Sequence, residues 1–123
     1  IDLARHAPTG TPQTATEIED RQQIPEKYLV HILLQLKRVG IVQSVRGAQG
    51  GYMLGRNPGA ITVLDIVTAV DGPILEPIPG ADSPSEEVRL VWRKVARNLT
   101  DSLADVSIQS ILDEAAKADM YFI

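Results

Sequence analysis

Residues 24–54, IPEKYLVHILLQLKRVGIVQSVRGAQGGYML, change their apolar period once, at Gly40. Before it, Leu29, Ile32, Leu33 and Leu36 recur at helical spacing, while Lys27, His31, Gln35 and Arg38 fall on a different, polar face. Pro25 at a first-turn position and Glu26 at the positive end of the helix dipole favour a helix start, and Gly40 supplies a left-handed stop. After it, residues 41–46 and 51–54 are two short apolar runs around a glycine-containing loop, the pattern of a β-hairpin. A basic amphipathic helix that runs directly into a hairpin leaves few folds open.

The flanking residues narrow them further. Thr14 followed by Glu17 is a capping box, so a short helix is expected over about residues 15–23. Two helices separated by about two residues have the layout of a helix-turn-helix. Beyond the hairpin, Val63, Ile66, Val67 and Val70 return to helical period, with Thr62 as cap and Gly72 as stop; this segment reads as a core helix. Residues 72–84 contain four prolines and read as an irregular connector. Ser83 as cap, Pro84 at the first helical position and Glu86 then predict a long helix. Its stripe of Val88, Trp92, Val95, Leu99 and Leu103 suits a helix-helix seam between two copies of the chain. Ile108, Ile111, Leu112 and Ala115 mark one more helix, and the opening IDLARHA reads as the last turns of a helix that begins upstream of Ile1. The expected fold is mainly α: a winged helix-turn-helix over residues 1–72, a linker over 73–84 and dimerisation helices over 85–123.

Composition excludes several classes of function. With no cysteine among 123 residues there is no disulfide, thiolate metal site, cysteine-ligated cluster or thiol redox chemistry. No apolar run approaches the roughly 20 residues a bilayer requires, so a cytoplasmic protein without membrane contact is expected. The net charge of −4 is unevenly spread. Residues 1–60 hold seven Lys/Arg against five Asp/Glu, and residues 61–123 hold five against eleven. Over residues 25–56, five bases face Glu26 alone, which points to an anion-binding head on a differently employed body. An enzyme is disfavoured: there is no P-loop, no dinucleotide fingerprint, and the two histidines lie far apart.

Three runs carry a resemblance: Tyr28-Leu29 opening the second helix, the pattern L…GIV.S.RG..GGY.L over residues 36–54, and IT..DIV.AVDG over residues 61–72. On these the chain resembles the small bacterial winged-helix transcription regulators that include the iron-sulfur cluster regulator IscR, the nitric-oxide sensor NsrR and the cysteine-metabolism regulator CymR. The likeness continues through Trp92. It implies a homodimer that binds palindromic double-stranded DNA and usually represses. By position it assigns DNA contact to Lys27, Tyr28 and His31 at the start of the second helix and to the wing arginine, Arg46, with Gly47 and Gln49 beside it; Thr14 is a plausible phosphate contact. Val30 and His31 replace the residues some relatives use to read bases. Cluster-binding relatives carry three cysteines in the region of residues 77–91, and Arg89 stands where their histidine-type ligand aligns. The resemblance therefore implies a member with no cofactor, answering to an unknown effector or a protein partner, with residues 72–84 the natural place for a signal to act.

The same residues have plainer readings. Tyr28 is also a core aromatic with a surface hydroxyl, and His31 a polar-face residue. Gly50 and Gly51 serve backbone geometry, Lys37 and Arg38 complement a helix dipole, His6 sits at a helix end, and Trp92 packs. A winged helix that docks a protein instead of DNA is the rival function.

Overall fold

The computed structural model describes residues 1–73 and 85–121. Six helices and one hairpin follow in the order α1 (Asp2–His6), α2 (Ala15–Gln22), α3 (Glu26–Arg38), β1 (Val42–Val45), β2 (Gly51–Leu54), α4 (Val63–Asp71), α5 (Glu86–Ala104) and α6 (Ile108–Tyr121). Single 3-10 turns at Ala7–Thr9 and Pro58–Ala60 follow α1 and precede α4. This is the winged helix-turn-helix expected of the sequence, continued by two C-terminal helices.

Local chemistry sets the boundaries. Thr14 and Glu17 cap α2 reciprocally: the Glu17 amide donates to Thr14 Oγ1 at 3.1 Å, and the Thr14 amide donates to Glu17 Oε2 at 3.2 Å. Thr62 and Asp65 repeat the arrangement on α4 at 3.1 and 3.0 Å. Helix α2 stops at Gln22 because Gln23 is left-handed, with φ +55°, and this bend aims the chain into α3. Pro25 is extended and stands at the N-cap of α3, one position earlier than expected. Gly40, with φ +79°, ends that helix, its amide donating to the Lys37 carbonyl at 3.1 Å. Helix α5 is capped by Ser85, whose hydroxyl accepts from the Val88 amide at 3.4 Å. The expected cap Ser83, Pro84 and most of the connector lie outside the described residues.

The core gathers residues from most of these elements: Ala4, Ile18, Leu29, Leu33, Ile41, Val42, Ile61 and Ile108 are all buried. Leu29 and Leu33 are the inward face that the helical spacing of α3 called for. Helix α4 differs from its expected role, because it has no fully buried residue and covers the core through half-buried Ile66 and Ala69. Helix α6 is tied to the head rather than to α5. Ile108 enters the head's core, its amide donates to the Ile61 carbonyl at 2.9 Å, and the Val63 amide donates to the Val106 carbonyl at 2.8 Å. Helix α5 lies against α4 of the head and places none of its residues in the buried core.

Candidate nucleic-acid interface

The side chains that sequence assigns to DNA all lie on the surface of the head. Burying Leu29 and Leu33 turns the opposite side of α3 to solvent, where Lys27, Tyr28 and His31 are exposed, Tyr28 at 68%. Lys27 and His31 are one turn apart and share a side. Pro25 has no side-chain hydrogen bond to the first turn of α3, so the amides of Glu26, Lys27 and Tyr28 keep the orphan donors of a helix start. Such amides, backed by the helix dipole, suit a phosphate oxygen. Thr14 is exposed, but its oxygen already caps α2, which leaves only the hydroxyl proton to donate outward.

The wing follows α3 after three residues. Its strands pair Val42 with Leu54, Gln43 with Met53, Ser44 with Tyr52 and Val45 with Gly51. Arg46, Gly47 and Gln49 form the exposed tip. Gly47 turns the chain with φ +115°, and the Gly50 amide closes the loop onto the Gly47 carbonyl at 3.0 Å. Val42, Tyr52 and Leu54 pack the hairpin against the core, and backbone hydrogen bonds hold it at two further places. At its root the Gly55 amide donates to the Ile41 carbonyl at 2.8 Å, and a Cβ on Gly55 would strike the Gly40 carbonyl. On its return strand, Gln13 and Tyr52 exchange both backbone hydrogen bonds, at 2.9 and 2.7 Å. Gly51 permits that approach, because a Cβ there would come within 2.5 Å of the Gln13 carbonyl oxygen.

Sequence reasoning missed this second hold. Gln13 is a buried polar residue in a short loop, with no periodicity to mark it. It also missed the ion pair of Arg21 with Asp2, in which Nε donates to Oδ1 at 3.1 Å and Nη2 to Oδ2 at 2.9 Å. The Arg21 guanidinium holds the Asp2 carboxyl below its ordinary range.

The seam residues of α5 stand apart from the head's core. Val88, Trp92, Val95 and Leu99 are 53%, 49%, 45% and 40% exposed, and Leu103 is half-buried.

A helix-turn-helix whose second helix starts without a side-chain cap and turns Lys27, Tyr28 and His31 to solvent, with an arginine-tipped wing beside it, defines a winged-helix DNA-binding regulator. Residues 1–114 match the Rrf2 family, described as iron-dependent transcriptional regulators, and the chain belongs to that family. It is 32% identical to the regulator CymR of Bacillus subtilis, over all of this chain and 90% of that one. It is 33% identical to IscR of Xenorhabdus nematophila over 97% of this chain and 79% of that one. Among solved structures, T. potens IscR superposes with a TM-score of 0.78 at 33% identity, covering 95% of this chain and 80% of that one. CymR, named as the global cysteine regulator of B. subtilis, superposes at 0.77 with 27% identity, covering 92% of this chain and 86% of its own. These relatives are transcriptional regulators and not enzymes.

The iron in the family's description finds no matching donors among the described residues. The chain has no cysteine, and among the described residues no three His, Asp or Glu side chains gather closely enough to hold a metal ion. His6 is engaged through Nδ1 with the Asp2 carbonyl at 2.9 Å. Nor is any described helix long and apolar enough to cross a membrane.

Proposed function

We propose that the chain is a cytoplasmic homodimeric repressor that reads a palindromic promoter site and does so without an iron-sulfur cluster. Helix α3 enters the major groove by its first turns, where Lys27 neutralises a phosphate and Tyr28 and His31 face the base edges. The wing lays Arg46 along the minor groove, with Gly47 and Gln49 against the backbone, and Thr14 donates to a flanking phosphate. Two copies join along Val88, Trp92, Val95, Leu99 and Leu103, which sets the two heads on the two half-sites. The observation that carries this reading is the pairing of a start of α3 that has no side-chain cap and turns Lys27, Tyr28 and His31 to solvent with an exposed arginine at the wing tip. An effector or protein partner acting through residues 73–84 would supply the signal.

The experiment is a salt titration of binding to the duplex that the protein selects from a random-sequence pool. Phosphate contacts make affinity fall steeply with salt, and Arg46→Ala weakens it by roughly 1 to 3 kcal/mol. No selected duplex, or binding indifferent to salt, favours the docking of a protein instead. The chain's acidic net charge of −4 is the observation on that side.

A further inference from the structure

A two-stranded hairpin is at best marginally stable alone, so the angle of this wing is decided by what grips it. Its root is gripped by the chain's own continuation at Gly55. Its return strand is gripped by Gln13, from outside the hairpin. Gln13 is 6% exposed, and its amide is satisfied on both sides: Nε2 donates to the Thr11 carbonyl at 3.0 Å, and Oε1 accepts from Arg21 Nη2 at 2.9 Å. Arg21, in the last turn of α2, is fixed in turn by the forked pair with Asp2 on α1, and Gln22 Nε2 adds a bond to Asp2 Oδ1 at 3.0 Å. A continuous polar path therefore runs from α1, through the end of α2, to Tyr52. Tyr52 pairs across the hairpin with Ser44, two residues before Arg46.

We propose that Arg21 is a positioning residue for the wing: held by Asp2, it fixes Gln13, and through the backbone bridge to Tyr52 it sets the angle at which Arg46 is presented beside α3. A planar guanidinium suits this role, because its rigid fork meets Asp2 with two donors while one nitrogen also reaches Gln13. An apolar side chain at position 13 could fill the same space; only a polar one links α2 to the wing. The inference rests on the reading that Arg46 contacts DNA.

The test is a double-mutant cycle on the selected duplex, using Gln13→Leu, Arg46→Ala and both together, with thermal melting of each. Gln13→Leu is expected to weaken binding roughly fivefold in the wild-type background and to have no effect once Arg46 is alanine, since that wing has no arginine left to misplace. Equal losses in both backgrounds overturn the proposal, because they report general destabilisation. So does an unchanged affinity of Gln13→Leu. If Arg46→Ala itself binds normally, the DNA reading of the wing falls and this inference with it, a result separate from the Gln13 arm. If Gln13→Leu does not fold, Arg21→Lys takes its place in the same cycle, retaining charge but losing the fork. Tyr52 amide exchange, faster in either variant, gives a second readout, and unchanged exchange also overturns the proposal.

Discussion

The head and helix α5 draw on the same apolar residue types and leave them in opposite states. In the head, Ile61 is fully covered, and Leu33 and Ile108 are each 4% exposed. On α5, none of the nineteen residues of a regular helix is fully buried, and Trp92 stands 49% exposed. An isolated helix of this length is marginal in water, and most helical stability comes from packing an apolar face. The difference teaches that the head's core is closed with the help of Ile108 from α6, while α5 keeps an apolar face exposed, the face proposed to meet a second copy. Ile61→Ala probes the first half of that contrast and has the largest expected effect. It leaves a cavity at the centre of the head and costs about 3 to 4 kcal/mol of stability, read as a lower urea midpoint at unchanged slope. A loss below about 1 kcal/mol would break the contrast, because Ile61 would then be no better packed than a surface residue.

Trp92→Ala probes the other half. Truncating a central aromatic of the proposed dimer seam is expected to weaken self-association by about 2 to 3 kcal/mol, seen by sedimentation as a shift to monomer. The head's own core should survive the change, since α5 contributes no buried residue to it. An unchanged sedimentation coefficient removes α5 from the seam.

Within the head, what sequence could foretell was whatever depends on neighbours along the chain. The capping box at Thr14, the cap at Thr62, the stop at Gly40, the inward pair Leu29 and Leu33 and the presence of the hairpin all follow from local donors, periods and turn residues. Placing Arg46 at the hairpin tip needed no more than that, whereas Tyr28, which local pattern read as a core aromatic, is 68% exposed, as the resemblance implied. The cap of α5 is Ser85, whose hydroxyl accepts from the Val88 amide, whereas the expected cap Ser83 lies outside the described residues. What stayed illegible was long-range. Nothing in the sequence near residue 108 says that α6 docks beside Ile61, and nothing near Gln13 says that it joins Tyr52. The doubled glycine at 50 and 51 was the only local trace of that contact. Gly51→Ala sharpens the point: with φ +150° and the Gln13 carbonyl in the way, it should cost about 2 kcal/mol and loosen the wing, seen as faster exchange at Tyr52. An alanine accommodated without loss would mean that the bridge is dispensable.

The smallest expected effect compares one carboxylate from each region. Asp2, in the head, has its ionisation favoured chiefly by the hydrogen bond from Arg21, so its folded pKa lies below the unfolded value of about 3.9. A depressed carboxylate contributes stability that is fully present above the unfolded pKa and is lost as pH falls through the folded one. Asp2→Asn should therefore cost about 1 kcal/mol at neutral pH, and the gap from the wild type should close as pH drops below about 4. Glu87, at the start of α5, is also lowered, first by its own backbone N–H and then by the Ser85 side chain, but it is fully exposed. Solvent screens that interaction in a way it does not screen the forked pair on Asp2, whose side chain is only 11% exposed. Glu87→Gln should leave the acid limb of the melting curve where it is. Thermal melts of both variants across this pH range decide the matter: an Asp2→Asn gap that stays constant into strong acid would show that the side chain acts by shape rather than by charge, and that Arg21 needs no anion to hold it.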